Sequence, residues 1–159
     1  IEDVEALPGE DAGGVDDFAL VVDVKAGCTD TTVRGLKVRQ HLSGAGYIAG
    51  VRLTGQSDDI LIEDCDIYIL GAGVVAPING ITTLSTKVMV RNNLLWTDAE
   101  PGIELLTGTT GIISDNYVFS NLATLTASIV AAHCAKFENY NCEVVNETGA
   151  LVGTASADD

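Results

Sequence analysis

The sequence predicts an all-β fold in which about five similar units stack into a solenoid, with extended tails at both ends. Three observations lead there. A degenerate strand motif returns every 23 to 29 residues. Within each copy apolar and polar residues alternate with period two, in segments rich in Val, Ile and Thr. No segment carries a sustained helical stripe with caps; the nearest, Leu122 to Cys134, is dominated by Thr124, Thr126, Ser128, Ile129 and Val130, which favour strand or loop.

The 159 residues suit one domain with a sizeable core. Eight Lys and Arg face 23 Asp and Glu, for a formal charge of −15. That balance argues against nucleic acid as a partner, because phosphate neutralisation needs clustered cations. Hydrophobic residues at 47% and a mean hydropathy of +0.28 argue against disorder along the whole chain. No stretch approaches the roughly 20 apolar residues of a membrane span, and the N-terminus lacks a signal-peptide layout. The chain begins with Ile1, as a processed product or a piece of a longer chain would. Aromatics at 5% leave Val, Ile, Leu and Ala to build the core.

Residues 1–17 read as an acidic N-terminal arm. Eight acids and no base fall between Ile1 and Val24, and Pro8, Gly9, Gly13 and Gly14 punctuate the stretch. A solvated tail and an arm that orders on a neighbouring subunit are both open. Residues 146–159 form a C-terminal cap or tail, small and acidic from Ala155 to Asp159.

Between the tails, residues 18–145 carry the repeat. Its copies are Thr31–Val38, Ile60–Ile67, Val88–Leu95, Gly111–Val118 and Ala135–Cys142. Anchored on Val33, Ile62, Val90, Ile113 and Phe137, they lie 29, 28, 23 and 24 residues apart. A shorter element precedes the later copies: Gly50–Leu53, Gly80–Thr83, Gly102–Leu105 and Ser128–Ala131, with Val51, Ile81, Ile103 and Ile129 as its apolar leads. Each unit therefore runs short strand, turn, longer strand, variable loop. Such units cannot bury their own inward faces and must stack.

The G-I-x-L then I-x-[DN]-N-x-[IVL] rhythm resembles the single-stranded right-handed parallel β-helix of pectate lyases, phage tailspikes and related virion proteins. The resemblance covers about residues 18 to 145 and speaks for fold more than for function.

The Asn and Asp positions fit that reading as structural ladders. Asn93 and Asn116 share a place where the chain bends, and inward amides there can bond their own turn and the next coil, with Cys65 and Tyr140 on either side. Asp64, Asn92, Asp115 and Asn139 form the neighbouring column, started by Gly35. Strand edges remain at both ends, with the N-terminal arm and the tail from Val144 as available covers.

Cys28, Cys65, Cys134 and Cys142 match no zinc spacing and read as free structural thiols, suited to a reducing cytoplasm; Cys142 aligns with the inward Ile67 and Val118. His133 and Cys134 adjoin along a strand and so point to opposite faces, which argues against a nucleophile and base; His41 reads as a surface residue.

Polysaccharide hydrolases and lyases that resemble this fold need paired carboxylates or a calcium site with a basic partner. The candidates are Asp58, Asp59, Glu63 and Asp66, with Arg52 and Arg91 near them. Glu63 and Arg91 read as stacked outward neighbours, a surface ion pair of small value. The hydrolase signatures (an Asn-Thr-Asp, an Asp-Asp beside a Gly-His-Gly, an Arg-Ile-Lys) are absent. Thr-rich stretches fall too irregularly for ice binding, and Trp96 reads as a sugar platform or as a cover for core or interface.

No catalytic, cofactor-binding or metal-binding constellation emerges, and the expected cofactor is none. The segment Val145–Thr154 resembles closing segments of phage structural proteins. The expectation is a virion structural protein, a bacteriophage capsid decoration (cement) protein assembled in the host cytoplasm. It would act as a homotrimer on the major capsid protein or another virion protein, with no nucleic acid or membrane partner. The alternatives are a tail-fibre or tailspike module that binds or cleaves host polysaccharide, and a bacterial surface β-helix adhesin.

Overall fold

The computed structural model describes residues 5–6, 20–42, 49–71, 76–81, 85–97, 102–105, 109–120, 129–130, 136–140 and 143–145. Every regular element among them is a strand, and every strand pairing is parallel. The strands fall into three sheets. The first holds β2 (Leu20–Lys25), β5 (Ala49–Thr54), β8 (Ile78–Ile81), β11 (Ile103–Leu105) and β14 (Ile129–Val130). The second holds β3 (Thr29–Arg34), β6 (Asp58–Glu63), β9 (Val88–Arg91), β12 (Thr110–Ser114) and β15 (Lys136–Tyr140). The third has six strands: β1 (Glu5–Ala6), β4 (Lys37–Leu42), β7 (Asp66–Gly71), β10 (Leu94–Thr97), β13 (Tyr117–Ser120) and β16 (Glu143–Val145). Successive strands enter the sheets in one rotation, so each bonds the strand three places further along the chain.

Each repeat thus contributes three strands. The longer strand of the sequence pattern is two strands in two sheets, broken where the chain turns at Gly35, Asp64, Asn92 and Asp115. All four are left-handed, with φ of 65°, 55°, 55° and 55°. Gly, Asn and Asp bear that conformation most cheaply, which is why this column contains no β-branched or bulky residue.

Register follows. Val33, Ile62, Val90 and Ile113 stand in one column, at the intervals of their sequence motif. They meet Val51, Leu53, Ile78 and Ile103 of the first sheet and Val38, Ile67, Leu95 and Val118 of the third in a single hydrophobic core. Each such side chain contributes about 1.5–3 kcal/mol by leaving water. Glycine permits the closest approach of two sheets at Gly102, where a Cβ would sit 2.4 Å from a methyl of Val118.

Two alignments need correction. Val51 pairs with Ile78, and Ile81 pairs with Thr54. The Pro77 carbonyl accepts the Gly50 and Val51 N–H groups at 2.9 Å, which sets the start of β8 at Ile78, just after a residue with no N–H to offer the ladder. In the last repeat Phe137 pairs with Gly111, Asn139 with Ile113 and Tyr140 with Ser114. Asn139 therefore lies outside the left-handed column, Tyr140 lies outside the amide column, and Val144 rather than Cys142 pairs with Val118. A slip of two residues keeps every side chain on its own face, so alternation alone is blind to it.

Glu5–Ala6 runs beside Lys37–Val38 and places part of the acidic N-terminal segment along the first edge of the six-stranded sheet.

Gly111 tests the stacking directly. A Cβ there would lie 1.9 Å from the Val88 carbonyl oxygen, whereas one on Gly27 (φ 82°) meets nothing within 4 Å. Gly27→Ala should cost about 1–2 kcal/mol, from the left-handed backbone alone. Gly111→Ala should cost clearly more in urea unfolding, because backbone in the neighbouring repeat has to move.

Candidate functional site

The inward amides next to the left-handed column are held at both ends. Asn93 Oδ1 accepts the Cys65 N–H at 3.0 Å, and its Nδ2 donates to the Ile62 carbonyl at 3.2 Å and to Asn116 Oδ1 at 2.9 Å. Asn116 Oδ1 also accepts the Asn93 N–H at 3.1 Å, and Asn116 Nδ2 donates to the Val90 carbonyl at 3.0 Å. Both side chains are buried, at 2% exposure. Cys65 stands at the same place one repeat earlier, and its thiol reaches the Val33 carbonyl at 3.8 Å. In the exposed column Asn92 Nδ2 donates to Asp64 Oδ1. The structure therefore brings together Asn93 with Asn116, and Asp64 with Asn92. Asp115 continues the left-handed column, and Asn139 is displaced from it. These residues order backbone and offer no open site.

A second polar column escaped the sequence reading. Ser85 Oγ accepts the Ser57 N–H at 3.0 Å and lies 3.4 Å from Ser57 Oγ, and Thr109 is buried beyond them. The signal was present: Cys28, Ser57 and Ser85 each sit five residues before an anchor, Val33, Ile62 or Val90.

The charged candidates are engaged by partners. Glu63 stacks in register on Arg91 and pairs with it, as the sequence indicates, but it is not a surface residue: its side chain is only 5% exposed, between Arg91 and Arg34, the latter equally in register. Arg34 Nε donates to Oε1 at 2.6 Å, and Arg91 Nε to Oε2 at 2.7 Å. The Arg34 hydrogen bond, seconded by Arg91, outweighs burial and holds the Glu63 carboxyl below its ordinary range. Burial pushes Asp23 upward, but bonds from Arg52, Lys25 and Thr54 more than offset it, and its carboxyl also lies well below the ordinary range. Asp58 is lowered by the Thr86 N–H and hydroxyl, at 2.8 and 2.9 Å. Asp59 pairs with Lys87 at 3.0 Å, and Asp66 with Arg39. A glycosidic general acid needs a raised pKa, and the shifts at Asp58 and Glu63 run the other way.

Burial raises the Cys65 thiol to about 11, which keeps it protonated at neutral pH. Cys28 and Cys65 are free thiols. His133, Cys134 and Cys142 lie outside the described residues, as does the side chain of His41. Among the described residues no group of three or more His, Cys, Asp or Glu could hold a metal ion, and no helix is long and apolar enough to cross a membrane.

What the framework does present is an aromatic column on the outer face of the six-stranded sheet. Arg39, Tyr68, Trp96 and Phe119 stand in register. Ring centroids are 6.2 Å apart for Tyr68 and Trp96, and 4.2 Å for Trp96 and Phe119, with planes tilted by 38° and 37°. Beside them runs Lys37, Asp66, Leu94 and Tyr117, where Leu94 is the exposed large hydrophobe among the described residues, at 38%. The sequence reading singled out Trp96 alone. Its companions lie 28 residues before and 23 after it, the same intervals as the Ile62, Val90 and Ile113 anchors. Comparison with protein-family models, curated proteins and solved structures gave no match.

Two measurements check these roles. Asn93→Ala leaves the Cys65 N–H and the Ile62 carbonyl buried without their partner and should cost about 3 kcal/mol in urea unfolding. The acid limb of stability is set by carboxyls whose folded pKa lies below the ordinary 4.5 of Glu or 3.8 of Asp. The unfolded chain then takes up protons first, so stability present at neutral pH is lost as pH falls below about 4.5. Melting temperature should be level from pH 7 to 5 and fall below that, and Glu63→Gln should make the fall shallower.

Proposed function

We propose that the chain is a right-handed parallel β-helix of about five coils and a structural protein of a virion, a capsid decoration protein that stabilises the shell as a homotrimer. The rotation of strands through three parallel sheets around one core supports the architecture. The observation that carries the function is the outward aromatic column, a lateral contact surface on a framework whose carboxylates at Asp23, Glu63 and Asp66 are already ion-paired. Such a molecule adds rigidity and contact area to an assembly. The partner is a shell protein, with no nucleic acid or cofactor involved.

The aromatic column also favours a second reading, a tail-fibre or tailspike module that binds host polysaccharide. Sugar stacking needs ring faces turned to solvent. Trp96 and Phe119, 4.2 Å apart, turn faces toward each other, which favours contact with protein.

Mass spectrometry of purified capsids tests the proposal. The chain should be present in a fixed ratio to the major shell protein, and capsids stripped of it should release their contents at lower temperature. Its absence from purified virions would overturn the reading.

A further inference from the structure

The three sheets differ in what they turn outward. The six-stranded sheet shows Tyr68, Trp96, Phe119 and the exposed Leu94. On the second sheet Leu61, Met89 and Ile112 stand in register, half-buried, on the face opposite the core column of Ile62, Val90 and Ile113. The first sheet shows Asp23 and Arg52 in register, flanked by Lys25, Thr54 and Glu104. Two neighbouring faces therefore each carry an apolar column, aromatic on one and aliphatic on the other, beside the ion pairs of Arg39 with Asp66 on the first and of Glu63 with Arg34 and Arg91, and Asp59 with Lys87, on the second; the third face, among the described residues, shows only polar and charged side chains.

A single foreign partner would call for one apolar face. Two unlike faces on one chain are what a closed ring of identical subunits requires, since each subunit there meets its two neighbours through different surfaces. Size points the same way. At about 4.8 Å between strands and about 3.3 Å per residue, a whole sheet face, its apolar column and flanking ion pairs together, measures roughly 24 by 15 Å, or about 350 Å². A pair joined through one such face on each side buries roughly 700 Å², the size of an adventitious contact. A ring holds each subunit by roughly 1,400 Å², within the range of stable interfaces. Charge on the two faces is largely compensated, since Glu63 lies between Arg34 and Arg91, Asp59 pairs with Lys87 and Asp66 with Arg39.

We infer that a second copy of this chain covers the aromatic face: the Tyr68–Trp96–Phe119 column of one subunit packs on the Leu61–Met89–Ile112 column of the next, and three copies close a ring with the Asp23–Arg52 sheet outermost. This rests on the trimeric reading above and specifies its interface.

Size-exclusion chromatography with light scattering on the full chain decides it. The unaltered chain should run at three chain masses, and so should Glu104→Gln on the outer sheet. Trp96→Glu and Met89→Glu should each run at one chain mass. An equimolar mixture should also run at one chain mass, because the single intact interface it can form buries only about 700 Å². Leu94→Lys and Leu61→Glu repeat the test should either variant lose its strand signal in circular dichroism. A trimer that survives both classes of substitution overturns this interface and leaves the virion reading standing. An unaltered chain of one chain mass removes the trimer, and the ring with it. A trimer missing from purified capsids sinks the virion reading alone.

Discussion

The rest of the structure depends on one backbone constraint: the chain turns from the second sheet to the third through a single left-handed residue, at the same height in successive repeats. Gly35, Asp64, Asn92 and Asp115 satisfy it with φ between 55° and 65°. Because the bend is one residue wide, the strands on either side are phased by it, and every column on both sheets is fixed once the bends stack. The Asp66 N–H to Leu36 carbonyl bond, at 2.8 Å, and its equivalents from Leu94 to Cys65 and Tyr117 to Asn93, both at 2.9 Å, clamp one bend on the next. Inward aliphatics meet and outward rings stack because these clamps repeat.

Stacking like on like is an electrostatic hazard, and the chain meets it by alternating sign along columns. Arg34, Glu63 and Arg91 follow one another, as do Asp23 and Arg52, and Asp59 and Lys87. Glu63 is the buried member between two half-exposed guanidiniums. This arrangement holds Lys25, Arg34, Arg39, Arg52, Lys87 and Arg91 in ion pairs.

How much of this the sequence discloses depends on which residue does the phasing. Val33, Ile62, Val90 and Ile113 were legible because each is followed within a few residues by the Gly, Asp or Asn of the bend, so periodicity and turn chemistry agree. Agreement fails in the last repeat, where Asn139 and Tyr140 resemble the bend residues yet pair with Ile113 and Ser114. Ile81 misled for a different reason: Ile78 and Ile81 are both apolar, and only the hydrogen bonds to the Pro77 carbonyl place the strand. Glu63 was misjudged because sequence shows its Arg91 neighbour but not the depth that Arg34 adds on the other side. The aromatic column was within reach, since its intervals are those of the core anchors, but a scan for apolar inward positions passes over outward ones.

The amide column also explains how the repeats tolerate unequal size. In the first two repeats the strands are six residues long, from Leu20–Lys25 to Asp66–Gly71, and aliphatics such as Leu36, Leu53, Ile60 and Ile69 fill the core. From Ile78–Ile81 to Tyr117–Ser120 they shorten to between three and five residues, and among the described residues fewer aliphatic side chains are buried. Over the same span the residue inside the bend passes from Leu36, with no side-chain donor, through Cys65, a weak one, to Asn93 and Asn116, which bond backbone in the repeat before. Hydrogen bonding therefore takes over where the hydrophobic term thins.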